Sequence, residues 1–271
     1  MTLELPTDVQ GPGSLQRVVM PSRPKALDLY CCAGGAAMGL HRAGYDVTGV
    51  DLRPQPRYPF RFIQGDALAQ DLSGYDFVWA SPPCQAHTSM KTMHNAKEHA
   101  DLIPATRAKL EAWGGPWIME NVVGAPLRNP VLLCGTMFGL GCQDAELRRH
   151  RIFESNVALL ALECRHGNRA ATMGVYGGHL RNRKRARTIG VYGEGVRDSV
   201  RKVDKGVEDF DVTQGREAMG IEWMTLAELC QAIPPAYSEF LARQVLSVTA
   251  RHNDPSSATA PTARVERKGE L

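Results

Sequence analysis

Long apolar runs are what this 271-residue sequence lacks most clearly. The longest, Val157 to Leu162, falls far short of the roughly 20 residues a membrane-spanning helix needs. No basic start followed by an apolar stretch occupies Met1 to Val9, so neither a secretory signal nor a membrane association is expected. A strong charge of one sign is missing too: 32 Lys and Arg face 29 Asp and Glu, and a net +3 does not by itself announce a nucleic-acid partner. There is no Cys-x-x-Cys pair. The seven cysteines are odd in number and scattered, which points to free thiols in a reducing, cytoplasmic setting. Cys134, Cys142, Cys164 and His166 could in principle form a zinc site. Because Cys164-Arg165-His166 is too tight for an ordinary finger, the expectation is no metal.

What is present is a strand–helix alternation between two irregular ends. Residues 1–23, with Gly11, Pro12, Gly13 and Pro21, read as a leader, and 251–271, with Pro255 and Pro261, as a tail. Residues 24–155 read as one α/β domain. Ala26 to Tyr30 is a short buried strand that runs into the turn Ala33-Gly34-Gly35, and a helix follows and stops at Gly44. Val47 to Val50, Phe62-Ile63, Phe77 to Ala80 and Trp117 to Met119 are further strands. A helix carrying Leu102, Thr106, Leu110 and Trp113 on one face precedes the last of them. This pattern predicts a doubly wound, Rossmann-like parallel sheet whose ligands gather at the strand exits.

The character changes after Phe153. Arg165 to Gly193 contains no Asp or Glu but holds Arg165, Arg169, Arg181, Arg183, Lys184, Arg185 and Arg187. Residues 156–211 therefore read as a small basic appendage suited to phosphates and guanine edges, and 212–250 as a return to the first domain. Gly174-Val175-Tyr176-Gly177 recurs as Gly190-Val191-Tyr192-Gly193, two similar turns or strand starts.

A glycine turn between strand and helix suits a nucleotide-like ligand, and Asp51 at the next strand's exit suits a ribose. On those residues alone, a nicotinamide enzyme and a methyltransferase stand level. Ser81-Pro82-Pro83-Cys84-Gln85 separates them: two prolines at a strand exit fix the direction of the thiol, and a following helix would lower its pKa.

Six blocks in order resemble the DNA cytosine-C5 methyltransferase family, of the small phage or bacterial type. Asp28 to Gly35 is similar to its cofactor turn, Ser81 to Gln85 to its nucleophile loop, and Glu120-Asn121-Val122 to its catalytic acid motif. Arg149-His150-Arg151 is similar to its paired-arginine motif, Thr213 to Met219 to the element beside its recognition domain, and Ala232 to Pro235 to its closing motif. Three positions depart from the family: Cys32 replaces a glycine, Leu147 a polar residue and Gln231 an asparagine. The resemblance implies a covalent adduct between Cys84 and C6 of a flipped cytosine, Glu120 at N3 and the amino group, and Arg151 at O2. It implies Arg149 at a phosphate or at the Cys84 loop. It implies S-adenosylmethionine held by Tyr30, Ala33, Gly34, Gly35, Asp51, Leu52, Asp66, Ala67, Pro83, Leu102, Gln231 and Ile233. The expected partner is double-stranded DNA, bound by a monomer. Three rivals remain: a transfer-RNA methyltransferase of the same family, a DNA-binding pseudoenzyme, and a nicotinamide oxidoreductase, which Ser81 to Gln85 does not fit.

Overall fold

The structure, a computed structural model, describes residues 22–87, 100–143, 145–166, 171–174, 188–190 and 211–252, with backbone alone for 171–174, 188–190 and 251–252. Its first element is the strand β1 (Lys25–Leu29), buried after Lys25 and apolar there except for Asp28. Helix α1 (Gly35–Ala43) follows and ends where Gly44, at φ 114°, turns the chain and donates to His41 O at 3.0 Å. β2 (Asp46–Asp51), β3 (Arg61–Gln64) and β4 (Phe77–Ala80) come next, then α2 (Ile103–Trp113) and β5 (Trp117–Asn121). These are the expected elements with one shift: Tyr30, read as strand, has φ 59° and already belongs to the turn.

The next strands are β6 (Val131–Leu133), β7 (Gly141–Cys142), β8 (Ala145–Leu147) and β9 (Arg151–Ser155), the first three of them very short. Then come β10 (Ala171–Gly174) and β11 (Thr188–Gly190). Three helices close the described chain: α3 (Val212–Met219), α4 (Leu226–Gln231) and α5 (Pro235–His252). Asp211 and Thr225 cap α3 and α4, each answered by the side chain three residues on, Gln214 and Glu228. No described helix is long and apolar enough to cross a membrane.

Seven strands form the main sheet in the order β3-β2-β1-β4-β5-β9-β6. The first five run parallel, and β9 lies antiparallel to both β5 and β6. Strand order reverses between β1 and β4, the switch point at which such sheets take ligands. α1 and α5 pack together so closely that a Cβ on Gly39 would run into the Ser238 hydroxyl and the Pro235 carbonyl. Across the sheet, Arg107 of α2 grips Glu154 of β9 with two bonds of 2.7 Å. Glu154 also accepts from the Arg128 N–H at 2.8 Å, so this buried charge pair is well satisfied.

A second, four-stranded sheet has the order β11-β10-β8-β7. Its strands come from both sides of residue 156, so backbone pairing crosses the boundary expected from composition. Gly174 and Gly190, which open the two echoed tetrapeptides, are partners in parallel register and end their strands rather than start them. Arg169, Arg181, Arg183, Lys184, Arg185 and Arg187 lie outside the described residues, as do nearly all of the expected leader and tail. The expected domain division therefore stays a proposal.

Candidate active site

Three adjacent strands deliver their carboxyl ends to one rim. β1 pairs with β4 through Leu29 and Ala80, and β4 pairs with β5 through Ala80 and Met119. The glycine turn, the Ser81-Pro82-Pro83-Cys84 loop and Glu120 thus exit side by side. The fourth group arrives by a reversed strand: β9 runs antiparallel with Ile152 opposite Asn121, so its first residue, Arg151, starts where β5 finishes.

At that rim Arg151 Nε lies 3.2 Å from Glu120 Oε1, with both side chains largely buried. Burial raises the Glu120 carboxyl above its ordinary range, opposed by Arg151, Arg149 and a Ser81 hydrogen bond. The Cys84 thiol is also pushed up, first by burial and then by the Glu120 charge, with Arg151 pulling the other way. Gln85–His87 form a turn, and residues 88–99, where a following helix would lie, are outside the described set. The loop is held by backbone and amide bonds. Asn121, fully buried, donates to Pro82 O at 3.0 Å, His87 N–H donates to Cys84 O at 2.9 Å, and His87 Nε2 lies 2.9 Å from Asp101 Oδ1.

Arg149, expected at a phosphate or at the Cys84 loop, lies near enough to Cys84 for its charge to bear on the thiol. It is fully buried, and its Nη2 donates to Cys230 O at 3.0 Å and Ala232 O at 2.7 Å, while its own carbonyl accepts from Tyr237 at 2.6 Å. Burial and the neighbouring Arg151 lower its pKa to about 9. It joins the paired-arginine motif to the closing motif. Leu147, where a polar residue was expected, is wholly buried against Gly135 in the cluster with Ala218 and Met219, which explains the apolar choice.

The expected cofactor residues divide into two groups. Gly34 (φ 84°) and Cys32 (φ 44°) wind the chain into α1, whose amino terminus carries no side-chain cap. Asp51 Oδ2 accepts from Cys32 N–H at 3.0 Å and Oδ1 from Arg53 N–H at 3.0 Å, so Asp51 shapes the turn and keeps two acceptor positions. Leu52 beside it is 72% exposed, rare here for a large apolar side chain. Gln231 is exposed with its Oε1 3.8 Å from Cys32 Sγ, so two of the three departures from the resembled family meet each other.

The other group serves packing in this structure. Gly35 has no room for a Cβ beneath the Ile233 carbonyl, and Ala33 is buried with its carbonyl bonded to Trp223 Nε1 at 2.8 Å. Tyr30 turns its hydroxyl to Thr106 at 2.8 Å. Ala67 and Ile233 are buried and Pro83 and Leu102 are half-buried. Asp66 is exposed at the end of β3 and accepts from Leu68 N–H at 2.9 Å.

Several site residues escaped the sequence reading. Asp28 is buried beneath the turn, where burial and Asp51 hold its carboxyl well above the usual range, next to the buried Tyr58 hydroxyl. Trp223 and Tyr237 are polar-tipped aromatics whose partners are backbone carbonyls distant in sequence, which no spacing rule reveals. Arg165 is exposed and paired with Glu163 at 2.7 Å. Cys134, Cys164 and His166 do come together, but with His150. Cys142, the fourth residue suspected, lies in the apolar cluster with Ala145 and Leu147.

A sheet of this order, with a reversed strand near one edge and polar groups at its switch point, defines a Rossmann-like fold of the kind found in methyltransferases. Among solved structures the chain is similar to the S. pombe Dnmt2 methyltransferase, with TM-score 0.51 and 14% identity over 86% of this chain and 100% of that one. It is similar to a protein encoded within an E. coli prophage and described as a DNA modification methyltransferase, with TM-score 0.50 and 12% identity over 84% and 99%. A third is the Entamoeba histolytica methyltransferase EhMeth, with TM-score 0.50 and 10% identity over 84% and 99%. No protein-family profile and no curated protein sequence matches the chain.

Proposed function

We propose that this chain is an S-adenosylmethionine-dependent DNA cytosine-C5 methyltransferase with Cys84 as its nucleophile. The observation that carries the reading is the buried Arg151–Glu120 pair at 3.2 Å, set on the strand exit next to the Cys84 loop and two strands from the glycine turn. Support for the cofactor is independent of that pair. The start of α1, with no capping side chain at Gly34, suits a carboxylate, Asp51 keeps acceptors for a ribose, and exposed Leu52 offers an apolar face to a purine.

Cytosine C5 is too weak a nucleophile to take a methyl group unaided. The Cys84 thiolate adds at C6, forming a C–S bond and moving the ring electrons toward C5. Glu120, kept protonatable by burial, supplies a proton to N3 as that charge develops, and Arg151 holds the O2 edge while steadying the carboxyl. Bound S-adenosylmethionine would supply the electrophilic methyl. Loss of the C5 proton to water then expels Cys84 and restores the ring. The base must leave the duplex for the thiol to reach C6 from above its plane. The basic residues between Arg165 and Arg187 are the proposed phosphate and base contacts, in a recognition segment spanning residues 156–211.

The test is mechanism-based trapping. Duplex DNA carrying 5-fluorocytosine should give a denaturation-resistant complex when S-adenosylmethionine is present, because fluorine cannot leave as a cation. Cys84→Ala should abolish it. A complex that survives in the alanine variant sinks the assignment of Cys84, and trapping on transfer RNA but not on duplex DNA moves the substrate to RNA.

A further inference from the structure

We propose that Cys134, His150, Cys164 and His166 form a tetrahedral zinc site that fixes the coil after β9 to the main sheet, directly behind the two arginines of the active site. Their ligand atoms all lie within 4.8 Å of one another. Cys134 Sγ is 3.4 Å from His166 Nε2, His150 Nε2 is 3.4 Å from Cys164 Sγ, and Cys164 Sγ is 3.0 Å from His166 Nε2. Four ligands at ordinary zinc–sulfur and zinc–nitrogen distances span edges of about 3.6 Å, so the donor set needs only small shifts to close on one ion.

The backbone explains why the four converge. In the antiparallel β6–β9 ladder Leu133 pairs with Arg151, so the next step of the same register sets Cys134 opposite His150. Cys164 and His166 are two apart in a coil, and in extended chain residues i and i+2 share a face. The tight Cys-x-His spacing, which tells against a finger, is therefore compatible with a site assembled from three segments.

Ordinary packing accounts poorly for the cluster. All four side chains are soft or imidazole donors, both cysteines are free, and each Sγ lies within 3.4 Å of an imidazole nitrogen. The coil they fasten has no regular structure from Val157 to His166 and leaves Leu160 78% and Leu162 50% exposed. Apart from this cluster, the coil is held to the body by Leu159, which packs against the core, and by Gln244, which accepts from Leu160 N–H at 2.7 Å and donates to Leu160 O at 3.1 Å. A metal bound there would add its binding energy to the hold on this coil.

The site also bears on the arginines. His150 sits between Arg149 and Arg151 and contacts a different set of residues from either. Arg151 Nη1 donates to the His150 carbonyl at 2.8 Å, so fixing the His150 imidazole fixes the peptide on which the Glu120 partner leans. Cys142 is buried elsewhere and takes no part.

Full-length, tag-free protein purified with zinc present and without chelator should carry about one zinc per chain. Cobalt(II) added to the metal-free protein should give the intense visible bands of a tetrahedral, thiolate-bound ion. Cys164→Ser and His166→Ala should lower the zinc content at least tenfold, whereas Cys142→Ala should leave it at one. If a variant does not fold, the cobalt spectrum of the unaltered chain still decides. No zinc together with no thiolate–cobalt bands would overturn the proposal. So would zinc retained in Cys164→Ser, or a Cys134–Cys164 disulfide found in freshly isolated protein.

Discussion

Removing Arg151 should make the protein's stability depend on the protonation of Glu120. At 3.2 Å, with an effective dielectric near 20, the pair's attraction is on the order of 5 kcal/mol. Protonating a carboxyl of ordinary pKa, about 4.3, costs about 3.7 kcal/mol at pH 7, at 1.36 kcal/mol per pH unit. The second figure is smaller, so Arg151→Met should take up a proton on Glu120 rather than keep an unpaired buried charge. Burial already raises this carboxyl in the intact protein, so about 3.7 kcal/mol is an upper bound for the loss at pH 7. The sign follows from linkage. With the folded-state pKa raised above the unfolded value, the folded state holds the extra proton, and stability falls as pH climbs between the two. The loss should therefore shrink to about 1 kcal/mol near pH 5. Urea unfolding of wild type, Arg151→Met, Glu120→Gln and the double variant at pH 5, 6, 7 and 8 measures this. The double variant should recover most of what the single one loses. A destabilisation that is flat across that range, or a double variant no more stable than Arg151→Met, refutes the account.

Two further outcomes follow from the same rim. Single-turnover adduct formation on 5-fluorocytosine DNA should speed up between pH 7 and 9, because burial and Glu120 hold the Cys84 thiol above its ordinary range; Glu120→Gln, which removes that charge, should move the limb to lower pH, and an unmoved limb would remove Glu120 from the thiol's surroundings. S-adenosylhomocysteine should raise the melting temperature by mass action, and Asp51→Ala should lose most of the rise; a nicotinamide cofactor that stabilises instead would redirect the whole reading.

The parallel half of the fold was legible in the sequence because each of its strands is a short apolar run closed by glycine, proline or a polar exit. Gly44 and Gly114 stop α1 and α2 where the pattern says they should, and Phe77 to Ala80 is a strand to the residue. The region after Asn121 was opaque for a physical reason. β6, β7 and β8 are two or three residues long, too short to show a period, and β9 opens with Arg151 and carries Glu154, which looks like surface. That glutamate is buried because Arg107, 47 residues earlier, meets it with two bonds. Periodicity registers burial through apolar side chains and misses a charge neutralised from a distant helix.

The paired-arginine motif shows where legibility of the site runs out, and why. Local spacing says that Arg149 and Arg151, two apart at the head of a strand, lean the same way, and the charge of each does bear on Glu120. It cannot say how deep each one sits. Depth is decided by α4 and the closing motif, some eighty residues later, whose Cys230 and Ala232 carbonyls have no partner in the helix end unless a donor reaches in. Arg149 meets that need and is sealed from solvent, which leaves Arg151 as the guanidinium at the rim with Glu120. One motif thereby joins two roles: an arginine that closes the fold over the glycine turn, and a second that the closed fold holds beside Glu120. Any substitution in Ala232–Pro235 that shifts those carbonyls should therefore reach Glu120 through the backbone between Arg149 and Arg151, without touching the substrate.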